Sequence, residues 1–402
     1  MPLRAEPGKM NKKIIDLGMH AFADTFVKQN QLGLSEPVYP LECFLNKNSG
    51  EIKAGVRTEQ HDRYVDYDYS YTSSNSEFSR NHWRNFAREV DEKIKLPKGS
   101  KVVEIGSNDG FLTKEFKNMG HQALGVDPSP YVAKLASKLG VETYCDFFGS
   151  KVGEDIKEKV GEADLIVANN VFNHANDVED FTIGATNLLK NNGVFVYEVP
   201  YWYNTIKDKK FDQIYHEHVT YFTVKFSYEL LRKYGLEIVD VQVVDYHGGS
   251  LRVFARKSNE TTPQSRIEDM IKKEEDFGLF DENTYKEFMR NLHQQRNYSL
   301  KEVCEIKLRG HPIVGVGAAA KGNTLLTFYK LDNSMLDYIT DSSEHKQGKY
   351  TPLTRIPITG DEIFAKYDEA YALVLAWNIS DAIKENLKKI NSKIKFLECK
   401  PI

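Results

Sequence analysis

The chain has 402 residues, with 41% hydrophobic and 28% charged residues and a formal net charge of −4. This length is enough for about two or three domains, and the weak net charge favours neither nucleic acid nor an anionic membrane as a partner. No apolar run approaches the roughly 18 residues of a membrane span, and the scattered cysteines argue against a disulfide scaffold or a cysteine-bound zinc ion. We therefore expect a cytoplasmic protein.

The first part of the chain, residues 10–80, has short β-like pieces followed by the tyrosine-rich stretch YVDYDYSY, which predicts a small N-terminal lobe. The tyrosines either pack as an aromatic lid or form a wall over a substrate, and Tyr69 and Tyr71 are favoured for the second role. An amphipathic helix is predicted over residues 82–97 and ends at Pro97.

The next segment, KVVEIGSNDGFLTKEF, predicts a strand, a tight glycine turn and a helix. Glu104, Gly106, Asn108 and Gly110 follow the spacing E-x-G-x-N-x-G, which differs from the G-x-G-x-x-G of a dinucleotide site. Such a turn lets the backbone approach a ligand closely, and the helix start offers unpaired N–H groups. The spacing resembles motif I of the class I S-adenosylmethionine methyltransferases, with Asn108 in place of the middle glycine.

Acidic and aromatic residues follow the next two predicted strands. Asp127 ends the second strand, where a carboxylate can accept hydrogen bonds from both hydroxyls of a ribose. Asp146 and Phe147 follow the third strand, where a carboxylate can meet the adenine amino group and a ring can pack on the base. We therefore predict that these residues bind the cofactor together with the glycine turn.

Asn169, Asn170 and His174 follow the fourth predicted strand, and Glu198 ends the fifth. The alternation of strands and helices predicts a parallel α/β sheet covered on both faces, and ligands bind such sheets beyond the carboxyl ends of the strands. We predict a Rossmann-like domain over residues 81–257, with Asn169 among its cofactor ligands.

The segment FDQIYHEHVTYF places four proton-transfer side chains in a row, namely Tyr215, His216, Glu217 and His218. A metal site is disfavoured, because an H-x-H pair on a strand needs a third distant ligand and the H-E-x-x-H spacing is absent. The plainer alternative is that the histidines are structural. Acid–base chemistry is favoured, since histidine titrates near neutrality and an adjacent carboxylate can orient it.

Two further strands are predicted around the turn HGGS. His247 precedes two glycines there, and the turn either contacts a ligand or is a plain hairpin. Residues 258–310 are charged and helical, which predicts a linker or helical arm.

Residues 311–402 predict a second, smaller Rossmann-like lobe. Its turn G-x-G-x-x-A, followed by Asp341 at the end of the next strand, would by itself indicate NAD. Lys321 directly behind the turn instead suits an anionic group such as a diphosphate at a helix N-terminus. Tyr350 and Arg355 are further candidate contacts to such a ligand.

The whole pattern resembles the C-3 C-methyltransferases that act on nucleotide-linked deoxysugars. The matching segments run from about residue 14 to about residue 380, and IYHEH followed by HGGSLR is the most specific part of the likeness. The resemblance implies S-adenosylmethionine as the cofactor and a 4-keto dTDP- or GDP-linked sugar as the substrate. It implies a class I methyltransferase domain flanked by both smaller lobes, in a monomer or homodimer.

The resemblance also implies residue roles. His218 is the leading base, and Glu217 orients it or anchors the sugar. Tyr215 and His174 would hold the enolate and Asn170 the sugar, while the choice between His218 and His174 as the base stays open.

One departure from the family pattern concerns a zinc site made of two cysteine pairs. Asn46 and Ser49 take the positions of the second pair, and the first pair has no counterpart, so no zinc is expected. Two alternatives to C-methylation remain: O-methylation of a sugar hydroxyl on the same scaffold, and non-catalytic binding of a nucleotide sugar or NAD.

Overall fold

A computed structural model of the chain describes residues 3–4, 11–66, 72–246, 248–257 and 265–397. The described strands form a seven-stranded sheet in the middle of the chain, a four-stranded sheet built largely from the N-terminal part, a five-stranded C-terminal sheet and one short two-stranded pair. Within this described part, no helix is long and apolar enough to cross a membrane.

The N-terminal lobe is an antiparallel sheet. Its strands and the neighbouring short pair are β1 (Leu3–Arg4), β2 (Asn11–His20), β3 (Tyr39–Asn46), β4 (Glu51–Ala54) and β5 (Val56–Arg57). β3 pairs with both β2 and β4. Asn46 closes the turn between β3 and β4, because its Oδ1 accepts hydrogen bonds from the backbone N–H groups of Asn48 (3.1 Å) and Ser49 (3.4 Å). Asn46 therefore has a structural role in this turn, and the absence of zinc stays a prediction.

The central domain alternates helices and strands. Its elements are α1 (Glu77–Ile94), β6 (Lys101–Ile105), α2 (Phe111–Asn118), β7 (Gln122–Val126), α3 (Pro130–Lys138), β8 (Thr143–Tyr144), α4 (Ser150–Val160), β9 (Ala163–Asn169), α5 (Val178–Leu188), β10 (Leu189–Pro200), α6 (Trp202–Lys207), β11 (Thr220–Tyr221), α7 (Val224–Lys233), β12 (Leu236–Val244) and β13 (Ser250–Lys257). The sheet has the order β12-β13-β10-β9-β6-β7-β8.

The five strands from β10 to β8 are parallel, which confirms the alternation predicted from the sequence. β13 is antiparallel to both β10 and β12, because β12 and β13 form a hairpin. The strands are nearly continuous apolar runs, such as Leu165–Ala168 with 0% exposure, since helices cover both faces of the sheet.

Two details of this domain differ from the sequence-based prediction. α1 begins at Glu77 instead of residue 82, because Ser76 caps the helix by accepting a hydrogen bond from the Ser79 N–H. Tyr215–His218 lie in an irregular turn and not on a strand, and the short β11 that follows pairs with β4 of the N-terminal lobe.

The remaining described elements are α8 (Ser265–Asp276), α9 (Glu282–Leu308), β14 (Ile313–Val316), α10 (Ala320–Tyr329), β15 (Tyr338–Thr340), β16 (Ile358–Thr359), β17 (Tyr371–Val374), α11 (Ser380–Ile390) and β18 (Lys395–Leu397). The strands form a parallel sheet in the order β16-β15-β14-β17-β18, which confirms the second Rossmann-like lobe. This lobe contacts the N-terminal one, since Asn323 on α10 donates to the carbonyl of Ala23 at 2.6 Å.

Candidate active site

The glycine turn between β6 and α2 brings the backbone close to the next layer of the protein. Gly106 has φ +71°, and a Cβ atom there would lie 2.7–3.0 Å from the side chain of Val171, so only glycine fits. Asn108 has φ +48°. Asparagine tolerates this left-handed backbone better than most residues, which explains how it replaces the middle glycine.

A cleft of about 910 Å³, partly open to solvent, lies beside this turn at the carboxyl ends of the parallel strands. Among the residues that line it are eight of the predicted site residues: Gly106, Asn108, Asp127, Asp146, Phe147, Asn169, Asn170 and His174. The lining also includes Gln60, Tyr64, Ser73 and Trp83, which sequence reasoning did not select. Tyr64 belongs to the tyrosine-rich stretch, whereas the favoured Tyr69 and Tyr71 lie outside the described residues.

Asp127 supports the glycine turn from the end of β7. Its carboxylate accepts hydrogen bonds from the backbone N–H groups of Asn108 and Ser129, both at 3.0 Å. Burial raises the pKa of Asp127 to about 6, although these two hydrogen bonds favour the ionised form.

Asn169, at the end of β9, is the clearest sign of a ligand in the cleft. Both its Oδ1 and Nδ2 atoms are buried and have no hydrogen-bond partner. A buried amide without partners is destabilising, so such a group is explained best by a ligand that supplies a donor and an acceptor. The carboxylate and ammonium groups of an amino-acid moiety provide both. Together with the close backbone approach at Gly106, this arrangement fits S-adenosylmethionine.

Two predicted residues, Glu104 and Gly110, and the strand-end residue Glu198 are absent from the cleft lining. Glu104 accepts a hydrogen bond from the Thr113 hydroxyl, and burial raises the pKa of Glu104 to about 8. Gly110 serves helix packing, because a Cβ atom there would lie 2.7 Å from the Cβ of Ala136. Glu198 is enclosed between His82 (2.8 Å) and Arg252 (2.9 Å) and does not line the cleft.

His174 lines the cleft at the end of a short helical turn that follows β9. Its Nδ1 lies 2.6 Å from the hydroxyl of Tyr64. Burial holds the pKa of His174 well below its usual value, and the neighbouring His218 and Arg63 contribute in the same direction. His174 is therefore a neutral imidazole at pH 7.

His218 lies next to His174, with 5.0 Å between the ring centroids. Its Nδ1 is 2.7 Å from the carbonyl oxygen of Gln213, and a carbonyl can only accept a hydrogen bond. His218 therefore carries its proton on Nδ1 and has a lone pair on Nε2. Burial lowers the pKa of His218 to about 4, so this tautomer stays neutral at pH 7. The ring of Tyr215 lies 4.0 Å from the ring of His218.

The other two residues of this turn face different surroundings. His216 points to the N-terminal lobe, where its Nε2 contacts the carbonyl of Pro40 at 3.3 Å, in agreement with the structural alternative for this histidine. Glu217 is buried with its Oε2 unpaired, and burial with the nearby Asp24 raises the pKa of Glu217 to about 7. Arg63 braces the turn, since its guanidinium donates to the carbonyls of both His216 and Glu217.

The residues predicted to bind the nucleotide do not line the cleft. Asp341 accepts hydrogen bonds from the backbone N–H groups of Ala318 (2.8 Å) and Ser343 (2.9 Å). Tyr350 and Arg355 form hydrogen bonds with Gln29 and Glu36, respectively, and the charge of Lys321 is attracted by Asp212. His247 lies outside the described residues. In the described part, no group of three histidine, cysteine, aspartate or glutamate residues is arranged to hold a metal ion.

Comparison with known proteins gives matches to two family models. Residues 77–241 match a model described as a methyltransferase domain, and residues 245–397 match one described as a C-methyltransferase C-terminal domain. The C-methyltransferase NovU of Streptomyces niveus is 35% identical over 324 residues, which are 80% of this chain and 77% of NovU. The chain belongs to the C-methyltransferase family. It is an S-adenosylmethionine-dependent methyltransferase with the class I Rossmann-like fold, so the alternative of a non-catalytic binding protein is dropped.

More distant matches cover smaller shares of this chain. A ubiquinone biosynthesis O-methyltransferase of Rhodopseudomonas palustris is 30% identical over 28% of this chain and 44% of its own length. The solved structure of a sarcosine dimethylglycine methyltransferase from Galdieria sulphuraria has a TM-score of 0.36 at 13% identity, covering 46% of this chain and 88% of that protein.

Proposed function

We propose that this C-methyltransferase transfers a methyl group to C-3 of a 4-keto deoxysugar linked to a nucleotide. The observation that carries the proposal is the pair of neutral imidazoles, His174 and His218, whose centroids are 5.0 Å apart beside the cofactor cleft. A C–H bond next to a ketone can be deprotonated only if a base takes the proton while donors stabilise the enolate oxygen. Two adjacent imidazoles in opposite tautomers meet both needs.

His218 is the base in this proposal. The Gln213 carbonyl holds the proton of His218 on Nδ1, so its Nε2 is available to take the C-3 proton. The lowered pKa of about 4 keeps His218 unprotonated before substrate binds. The negative charge of the enolate then favours the imidazolium that forms, because the pair is buried.

His174 is the hydrogen-bond donor to the enolate oxygen. Burial raises the pKa of the Tyr64 phenol, which therefore stays protonated, and in this proposal its hydroxyl is the donor to Nδ1 of His174. The proton of His174 is then on Nε2, where it can be donated to the substrate. Tyr215, which packs on the His218 ring, would support the enolate, and Asn170 at the cleft wall would hold the sugar. Glu217 would orient the turn.

The cofactor would be held by Asp127 at the ribose, Asp146 and Phe147 at the adenine, and Asn169 at the amino-acid moiety. S-Adenosylmethionine, when bound, supplies an electrophilic methyl group. The predicted nucleotide contacts Lys321, Tyr350 and Arg355 interact with other residues of the protein. The titration described next tests whether the protein binds dTDP or GDP.

A calorimetric titration with S-adenosylhomocysteine, alone and with dTDP or GDP, tests the two binding functions first. The reaction is then tested with methyl-labelled S-adenosylmethionine and a 4-keto sugar nucleotide, and NMR assigns the methyl group to carbon or oxygen. A methyl group on oxygen would support the rival O-methylation and overturn the proposal.

The role of His218 is tested by hydrogen exchange at C-3 in deuterated water with S-adenosylhomocysteine present. We expect His218→Asn to abolish the exchange while S-adenosylhomocysteine still binds, and His174→Asn to slow it. Exchange that survives in His218→Asn and disappears in His174→Asn would move the base to His174.

A further inference from the structure

A buried charged cluster joins the C-terminal lobe to the domain that carries His218. It consists of Asp212, Lys321 and Trp377, and we call it the Asp212 cluster. Asp212 has 1% exposure, and its Oδ2 accepts a hydrogen bond of 2.5 Å from the indole N–H of Trp377. The ammonium of Lys321 lies 4.5 Å from the centroid of the Trp377 ring and attracts the Asp212 carboxylate. The assignment of Lys321 to a diphosphate stays a prediction, and in the structure the charges of Lys321 and Asp212 attract each other.

Asp212 is the chain neighbour of the residue that contacts the proposed base, His218. It belongs to a short 3-10 turn, Phe211–Gln213, and the carbonyl of Gln213 is the one that lies 2.7 Å from Nδ1 of His218. On the other side of Gln213, the carbonyl of Ile214 accepts a hydrogen bond of 3.3 Å from the hydroxyl of Thr324 on α10. The C-terminal lobe therefore holds both chain neighbours of Gln213.

The turn between β12 and β13 packs against the ring of Trp377. A Cβ atom on Gly248 would lie 2.6 Å from the Trp377 ring, so the ring occupies the space that a side chain would need. Lys210 donates a hydrogen bond to the Gly248 carbonyl and lies 5.7 Å from the Trp377 ring centroid. This packing accounts for a glycine of the HGGS turn without a ligand.

We propose that the Asp212 cluster positions His218. Through this cluster the C-terminal lobe holds the Gln213 carbonyl next to Nδ1 of His218, and Nε2 of His218 therefore stays unprotonated. The inference rests on the proposed role of His218 as the base. It assigns Lys321 and Trp377 to the orientation of a catalytic group and not to substrate binding. If the cluster is weakened, the turn relaxes, Nδ1 loses its acceptor and the two tautomers of His218 mix.

Separating the members of the Asp212 cluster would cost free energy, and this cost couples the C-terminal lobe to the turn that carries Gln213. A buried aspartate needs its partners, because an ionised carboxylate without them is strongly destabilised. Burial lowers the pKa of Lys321 to about 8, and Asp212 opposes this shift. Asp212 and Lys321 therefore both restrict the conformation of the turn Phe211–Gln213.

The test uses the full chain with Trp377→Phe, which keeps an aromatic ring for Lys321 but removes the N–H group that binds Asp212. Nitrogen-15 NMR of the histidine rings reports the His218 tautomer, and the signal is assigned by its loss in His218→Asn. We expect the Nδ1–H form of His218 to become a mixture in Trp377→Phe. We also expect kcat to fall about tenfold to a hundredfold, since small displacements of a catalytic group have effects of this size.

The control is Tyr371→Phe on β17 of the same lobe, whose hydroxyl accepts a hydrogen bond from Lys395 at 3.5 Å. It should change neither the tautomer nor kcat. S-Adenosylhomocysteine affinity should match the wild-type value in both variants. Thr324→Val, which removes the hydrogen bond to the Ile214 carbonyl, provides a second test if Trp377→Phe does not fold.

An unchanged tautomer and an unchanged kcat in Trp377→Phe and Thr324→Val would overturn the positioning role. The tautomer measurement requires no turnover, so it separates this inference from the proposed function. If the wild-type enzyme methylates no 4-keto sugar nucleotide but the His218 tautomer still shifts in Trp377→Phe, the proposed function fails and the positioning role stands.

Discussion

The hydroxyl of Tyr64 lies 2.6 Å from Nδ1 of His174, and the two rings are nearly parallel, with an interplanar angle of 20°. Tyr64 precedes the methyltransferase domain in the sequence, whereas His174 follows the fourth strand of its parallel run. The contact therefore brings Tyr64 to the proposed donor.

Replacing Tyr64 by phenylalanine should remove the donor that holds the His174 proton on Nε2. We expect kcat to fall by up to about a hundredfold, because His174 would lose the partner that orients it and a misplaced catalytic group can cost this much. Tyr228→Phe, on the surface of α7, is the matched control and should keep full activity. A kcat equal to that of the wild-type enzyme in Tyr64→Phe would remove Tyr64 from the mechanism.

Asn169→Leu should raise the stability of the ligand-free protein and weaken cofactor binding. Since Oδ1 and Nδ2 of Asn169 are buried without partners, an apolar side chain of similar size should stabilise the ligand-free protein by about 1–3 kcal/mol. The same change should weaken S-adenosylhomocysteine binding about tenfold or more, because it removes hydrogen bonds to a charged moiety. Denaturant unfolding and calorimetry measure the two effects. Asn187→Leu, at an exposed position of α5, should leave affinity unchanged, and an unchanged affinity in Asn169→Leu would contradict the assignment.

Asn108→Gly should reveal why asparagine occupies the glycine turn. Asn108 Oδ1 accepts hydrogen bonds from the Ser73 N–H at 2.8 Å and the Asp109 N–H at 2.9 Å. Glycine suits the left-handed backbone but cannot hold Ser73, so we expect faster amide exchange at Ser73, measured by mass spectrometry. Asn192→Gly is a matched control, because Asn192 is an exposed residue with φ +63°. Equal exchange at Ser73 in both variants would show that the Asn108 side chain does not anchor this segment.

The contribution of three buried histidines to stability should decrease as the solution becomes acidic. Burial lowers the pKa of His20, His216 and His218 from 6.5 to about 4. At these three positions the unfolded chain therefore binds more protons than the native protein between these pH values, so their contribution to stability is full above about pH 6.5 and is lost as the pH falls toward 4. Buried carboxyl groups with raised pKa values act in the opposite direction. Each proton contributes a slope of about 1.4 kcal/mol per pH unit at most.

His216→Phe isolates one of these protons, because His216 contacts the N-terminal lobe and not the cleft. Urea unfolding between pH 4 and 6.5 should give a smaller slope of unfolding free energy against pH in this variant, by up to the value for one proton. The slope is the measurement, since the absolute stability also changes with packing against Phe22 and Tyr39. Parallel curves for wild type and variant would contradict neutral burial of His216.

The central fold was predictable because its signals are local. Apolar strands, glycine turns and amphipathic helices alternate along residues 101–200, and each element depends on neighbours a few positions away. The acidic residues at strand ends were found for the same reason, since all parallel strands direct their carboxyl ends to one edge of the sheet. Asp127, Asp146 and Asn169 line the cleft as this rule requires.

The direction of a side chain in an irregular segment is harder to read from sequence. The sequence did not point to Tyr64, which lines the cleft, while the choice of Tyr69 and Tyr71 stays a prediction because they lie outside the described residues. The residue pattern alone did not separate the two histidines of the HEH turn, and only the family resemblance favoured His218 as the base. His216 faces the N-terminal lobe and His218 faces His174, because an irregular turn has no period from which a direction can be read.

The amino-acid sequence by itself determined the order of strands and helices, the position of the cofactor turn and the set of residues able to move a proton. Only the tertiary structure decided which nitrogen of His218 carries its proton, which tyrosine meets His174 and what Lys321 faces. The contacts Tyr64–His174 and Asp212–Trp377 join residues 110 and 165 positions apart. Backbone preferences act over a few residues, whereas such contacts arise only when the lobes pack together and exclude water from polar groups that must then find partners.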